Sequence, residues 1–243
     1  MTEANTSMKP LALLIPGLDG TGLLFYRQLD ALSARHRACP WRFGTKAGFD
    51  LSDLTREIGD RTAGEAGGSI LVVGESFGGL VALSYVLHFP ERVQRLILVN
   101  AFPYYRRQER IRLARALVPF MNLKLGRLVK NYVVDRTLLG EGILKEDRRR
   151  YHDIVSQVDP AAYRRRLELV QKVDLRPKLG EIAVPTVLLA SGRDKIVPSI
   201  AEARFMAERI PRAQVHEFPD AGHALLLTPG VSLADYVTEE ANS

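Results

Sequence analysis

One cysteine, Cys39, stands in a chain of 243 residues, so no internal disulfide can form. Its place on an expected strand marks it as a small buried hydrophobe. No stretch reaches the ~20 apolar residues that a membrane span requires. The opening MTEANTSMKP is polar, with no apolar run of signal-peptide length behind it. The 5 histidines and the single cysteine are scattered without ligand spacing, so neither metal nor cofactor is expected. Internal repeats and low-complexity tracts are missing as well. Together these absences favour a soluble, cytoplasmic protein without a membrane span.

What remains is ordinary in bulk and uneven in detail. Hydrophobic residues make up 46% and charged residues 26%, as in soluble globular domains, and the length suits one large core. The net charge of +6 belongs to one segment. Residues 103–178 hold 19 Lys and Arg against 9 Asp and Glu, leaving the rest of the chain slightly acidic.

Periodicity places strands and helices in alternation. Short apolar runs at 11–16, 36–43, 69–74, 93–100, 185–191 and 214–218 read as strands. Helical patterns fall at 23–32, 50–63, 79–88, 199–210 and 231–239. Such alternation predicts an α/β fold, a mainly parallel sheet with helices on both faces. The pattern breaks between 103 and 178, which is helical and basic; Pro119 interrupts one amphipathic stretch and Asp159-Pro160 opens another helix. The expected organisation is therefore a core of residues 1–102 and 179–243 with a helical cap inserted at 103–178.

The sharpest local signal is Gly74-Glu75-Ser76-Phe77-Gly78-Gly79, set between the strand at 69–74 and the helix at 79–88. A G-x-S-x-G turn in that context lifts a serine hydroxyl clear of the sheet, provided that small residues flank it. Serine needs a base, and the base needs an orienting acid. Asp194 and His223 each follow a strand, in the chain order serine, acid, histidine, which brings them to the sheet edge that carries Ser76. His36, His88, His152 and His216 fall on strands, a helix end or the basic segment, and Asp220 shares the loop of His223. The glycine-rich turn PGLDGTG at 16–22 can bring backbone amides to a substrate oxygen, with Leu18 and Phe77 as the expected donors. That turn lacks the Gly-Lys-Ser/Thr ending of a P-loop and the acidic residue of a dinucleotide site.

GESFGG together with Asp194 and His223 resembles the α/β-hydrolase superfamily, over nearly the whole chain from Leu11 to Val237. More narrowly, LLIPGLDGTG, GESFGG, LLASGRDKIVPS and AGHALLL are similar to the hydrolase portion of plastid phytyl ester synthases and related bacterial esterases. The resemblance implies ester or thioester hydrolysis through Ser76, His223 and Asp194. Some relatives carry the acid after the strand at 93–100, where this chain has Asn100.

Three functions follow as expectations. The first is a carboxylesterase acting on a small or medium acyl ester. The second is hydrolysis of acyl groups on an acidic carrier protein or coenzyme A, docked by Arg148-Arg149-Arg150 and Arg164-Arg165-Arg166. Asp147, Asp153 and Glu168 stand close enough to engage those arginines in ordinary helix pairs. The third is a non-catalytic ligand-binding protein on the same fold. No nucleic-acid-binding motif accompanies the basic segment. Phe120, Met121, Leu138 and Leu139 are apolar residues able to line an acyl pocket or to pack a core.

Overall fold

Six apolar runs become β1 (Leu11–Ile15), β2 (Arg37–Pro40), β3 (Ile70–Glu75), β4 (Val93–Val99), β5 (Thr186–Ser191) and β6 (Ala213–Phe218). They form one sheet in the order β2-β1-β3-β4-β5-β6, with every adjacent pair parallel. The computed structural model describes residues 9–44, 48–65, 70–120 and 124–238, with backbone alone at 120 and 124–130. The expected starting residue of the third strand, Ser69, and the end of the expected last helix therefore lie outside the described residues, as do the Phe120 side chain and Met121.

β1, β3 and β5 are buried along their whole length, the mark of central strands covered on both sides. Alternate residues feed two cores. Leu13, Ile15, Val72, Leu96, Leu98 and Leu188 pack toward α2 (Leu51–Arg61), α3 (Phe77–His88) and α8 (Ser199–Ala207). Ala12, Leu14, Leu71, Val73, Ile97 and Val99 face α1 (Leu29–Ser33) and the C-terminal segment. α2 begins at a capping box: Asp50 accepts from the Asp53 amide at 2.8 Å while Asp53 accepts from the Asp50 amide at 2.9 Å. α3 is buried from Phe77 to Val86, which makes it the central helix of its layer.

Between β4 and β5 run α4 (Gln108–Leu117), α5 (Lys124–Thr137), α6 (Lys145–Ser156) and α7 (Pro160–Lys172). Asp159 caps α7, its carboxylate accepting from the Ala162 amide at 2.7 Å. Leu139, Val134, Tyr151 and Ile154 from this segment form a third cluster with Leu24, Ala224 and Leu227, and Leu138 packs against it.

Two helical expectations give way. Residues 23–32 divide into a 3₁₀ turn, Leu23–Phe25, and the five-residue α1. Residues 231–239 form no α-helix as far as they are described; short 3₁₀ turns stand at Leu225–Leu227 and Leu233–Tyr236. Both departures involve Gln28, whose buried side chain donates to the Leu226 and Val231 carbonyls and accepts from the Leu233 amide. Gly230, at φ 82°, turns the chain between the two 3₁₀ turns. β2 is shorter than the expected 36–43: it is an edge strand ending at Pro40, whose missing N–H falls on the side away from β1, and the Trp41 amide makes one more bond to the Leu14 carbonyl at 2.7 Å. Cys39 on that edge is half-buried.

The chain leaves β1 on one side to form β2 and returns on the other to form β3. The crevice beyond the carboxyl ends of β1 and β3 is thus the switch point of the sheet, where open α/β folds place their ligands.

Candidate active site

Close packing explains the turn after β3. A Cβ at Gly78 would stand 2.2 Å from the Ile15 carbonyl oxygen, and one at Gly74 would stand 2.6 Å from the Gly78 oxygen. Ser76 between them holds φ 53° and ψ −117°, a conformation that costs about 1–3 kcal/mol for a residue with a side chain. Its amide is tied to the Val99 carbonyl at 2.9 Å, so the strand pairing itself holds the strained residue.

His223 Nε2 lies 3.0 Å from Ser76 Oγ, and His223 Nδ1 lies 2.6 Å from Asp194 Oδ2. The three residues singled out from the sequence therefore meet in one hydrogen-bonded chain. Ser76 is 8% exposed and His223 7%. Asp194 is fixed in turn: its Oδ1 accepts from the amides of Ile196 and Val197 at 2.8 and 3.0 Å, and its Oδ2 accepts from Ser199 Oγ at 2.5 Å. Burial alone would push the Asp194 carboxyl up, but the His223 charge and these donors hold it below the usual carboxylate range. Burial works against a charged His223, yet Asp194 and, more weakly, Glu75 raise it above the ordinary imidazole value. An imidazole so placed can take the proton of Ser76 while Asp194 stays ionised.

Leu18 lies on the turn that follows β1, and Gly17 brings that turn against Ser76: a Cβ there would meet the Glu75 carbonyl oxygen and Ser76 Cβ at 3.6 Å. Phe77 is the first residue of α3, where a helix leaves its N–H groups without an internal acceptor. Phe77 thus adjoins the serine in sequence, and the turn that carries Leu18 packs against it at Gly17.

A family profile described as "Alpha/beta hydrolase family" matches residues 12–235. The chain belongs to that family. Among its relatives is the "Pimeloyl-[acyl-carrier protein] methyl ester esterase" of Nitrosomonas europaea, 31% identical over 73% of this chain and 72% of that protein. Another is named "Putative carbamate hydrolase RutD", from Serratia proteamaculans, 26% identical over 92% of this chain and 88% of that protein. Among solved structures, an esterase from Exiguobacterium antarcticum shares the fold with a TM-score of 0.76 at 19% identity, covering 89% of this chain and 85% of that one. MenH from S. aureus does so with a TM-score of 0.76 at 19% identity, covering 94% and 91%. The hydrolase and esterase relatives make this an esterase-type enzyme. They lend nothing to the narrower likeness to phytyl ester synthases. No described helix of the hydrolase is long and apolar enough to cross a membrane.

Several site residues escaped the sequence reading. Asn100, at φ 46°, donates to the His223 carbonyl at 2.8 Å and to Ser191 Oγ at 3.0 Å, and accepts from the Ser191 amide at 2.8 Å. It therefore laces the ends of β4 and β5 to the histidine loop. Glu75, 8% exposed beside the nucleophilic turn, has its carboxyl raised to about 7, first by burial and then by Asp19, against a smaller pull from His223. Burial likewise raises Asp19, while its bonds to Thr21 and the charge of Arg166 work the other way. Tyr151, buried on α6, is raised first by its burial and then by the charges of both carboxylates.

The arginine triplets are largely engaged inside the molecule. Arg148 donates to Asp135 at 2.8 Å, and the Arg150 guanidinium lies 3.8 Å from the Tyr26 ring centre. Arg165 donates to the Phe49 carbonyl at 2.6 Å and to Glu168 at 3.0 Å; Arg164 lies 3.9 Å from Glu168. Arg166 is buried and reaches the Leu18 and Asp19 carbonyls. Of the expected acidic helix partners, Glu168 takes that role, whereas Asp147 turns away to Arg27 and Tyr26.

Proposed function

We propose that the hydrolase cleaves carboxylic esters of small or medium acyl groups through an acyl-enzyme on Ser76. The observation that carries this reading is the Asp194–His223–Ser76 chain, 2.6 and 3.0 Å per link, ending on a serine of positive φ. His223 Nε2 accepts the hydroxyl proton as Ser76 Oγ attacks the acyl carbon. The amides of Leu18 and Phe77 hold the resulting oxyanion, and His223 returns the proton to the departing alcohol. Water then loses a proton to His223 and attacks the acyl carbon; the bond to Ser76 Oγ breaks, His223 returns the proton to that oxygen, and the acid is released. Asp194 keeps its negative charge throughout, and residues 103–178 act as a cap over the core of residues 1–102 and 179–243.

A panel of p-nitrophenyl esters of rising chain length, run beside acyl-coenzyme A thioesters, tests the reading. The expected result is turnover of short and medium esters, with fluorophosphonate labelling that disappears in Ser76→Ala. No turnover of any ester, or labelling that survives the substitution, overturns it.

A second reading, acyl groups borne on an acidic carrier protein, draws on two observations. Relatives act, by name, on a pimeloyl-[acyl-carrier protein] methyl ester, and residues 103–178 are strongly basic. On this reading, kcat/KM for a carrier-bound ester falls steeply with salt while that for a small neutral ester barely changes. Equal salt responses exclude it.

A further inference from the structure

Arg166 is 2% exposed, on α7 of the inserted segment. Its Nε donates to the Leu18 carbonyl at 2.8 Å and one terminal nitrogen donates to the Asp19 carbonyl at 3.1 Å. The guanidinium lies flat against Gly20, where a Cβ would come within 2.7 Å of Arg166 Cζ and where φ is +71°. The loop has therefore been shaped around the arginine head.

Both bonds go to backbone carbonyls. Asp19 turns its carboxylate to the Thr21 amide at 2.8 Å and to the Thr21 hydroxyl at 2.5 Å, and acts on Arg166 through space. Desolvating a guanidinium is costly, and arginines are rarely buried this far without a carboxylate partner. A neutral amide side chain could tie down two carbonyls without that cost. What distinguishes arginine is a positive charge set against the two peptides that directly follow the one carrying the expected oxyanion donor.

We propose that Arg166 is a positioning residue of the oxyanion site. It pins the Leu18 and Asp19 carbonyls, fixing from its C-terminal side the residue whose amide, in the Gly17–Leu18 peptide, faces the substrate oxygen, and its charge favours the negative charge that develops there. The inference rests on the roles proposed for Ser76 and Leu18. It adds that the inserted helices contribute directly to the chemistry.

The test uses the full chain as wild type, Arg166→Met, Arg166→Lys and Gly20→Ala. The readouts are kcat and KM on p-nitrophenyl butyrate, inhibition by butylboronic acid, which forms a tetrahedral adduct on serine, and fluorophosphonate labelling. Arg166→Met is expected to lower kcat about 10–100-fold, somewhat less than loss of a whole oxyanion donor, with KM within about threefold. Boronic acid affinity falls in parallel, and Arg166→Lys recovers a large part of both. Gly20→Ala, which displaces the guanidinium, lowers kcat in the wild-type background and far less in Arg166→Met. An Arg166→Met enzyme within twofold of wild-type kcat, a loss confined to KM, or a kcat loss with boronic acid affinity unchanged overturns the inference. Should Arg166→Met not fold, an unchanged kcat in Gly20→Ala overturns it alone. Failure of the parent reading looks different: the wild type itself is neither labelled nor active.

Discussion

Replacing Glu75 by Gln should make the hydrolase more stable, and only above mildly acidic pH. The unfolded carboxyl ionises near 4.5, whereas the folded one holds its proton to about 7. A folded value raised above the unfolded one means that this group's contribution is intact below about 4.5 and is lost as pH rises through about 7. At about 1.4 kcal/mol per unit, the shift costs the wild type on the order of 3 kcal/mol at pH 8.5. Gln keeps the shape and cannot ionise. Urea denaturation at pH 5.5, 7 and 8.5 should show a gap between variant and wild type that widens with pH toward that figure. A gap that stays constant, or a wild type that is the more stable at pH 8.5, refutes the assignment of Glu75 as a buried, strained carboxyl. Kinetics supply a second arm. Glu75 favours the charged form of His223 only once ionised, above about pH 7, so its replacement should move the acidic limb of kcat/KM to lower pH by only a small amount.

Asp194→Asn should preserve the fold and lower kcat by about 10³–10⁴-fold, read by steady-state ester hydrolysis, because the amide cannot stabilise a charged His223. Asn100→Ala removes three buried hydrogen bonds around the histidine loop. It should cost about 2–4 kcal/mol in urea denaturation and depress kcat more than KM. Gly78→Ala forces a Cβ to within 2.2 Å of a backbone oxygen and should destabilise by about 3 kcal/mol or more, or yield no folded protein. Gly44→Ala meets nothing within 4 Å and should leave the thermal midpoint nearly unchanged.

The readable parts of the chain were those whose determinants are local. Gly74 and Gly78 mark a turn because the neighbouring backbone leaves no room for a side chain, and that requirement shows as spacing. Fully apolar runs such as residues 11–15 mark central strands because both faces are covered. The misread parts depend on partners far away in sequence. Gln28 falls within residues 23–32, which read as one helix, and its bonds to Leu226, Val231 and Leu233 leave no trace in that local pattern. Arg166 sits in a run of three arginines read together as a docking surface or as partners in helix pairs, yet it is buried while Arg164 is exposed. Glu75 occupies a position that the turn motif leaves free, so only its surroundings reveal that it titrates abnormally.

The reach of Arg166 from α7 to the loop after β1 also bears on how such enzymes can be altered. An insertion between two strands invites exchange: one roof removed, another grafted, the chemistry beneath left as it was. Here α7 is rooted in the loop that follows β1. A transplanted segment lacking an equivalent guanidinium would leave the Leu18 and Asp19 carbonyls without their donors, and Gly20 facing an empty space where a side chain had been. If Arg166 plays the role proposed for it, turnover of the helices between β4 and β5 is constrained at one residue, and libraries that vary residues 103–178 should hold that residue constant.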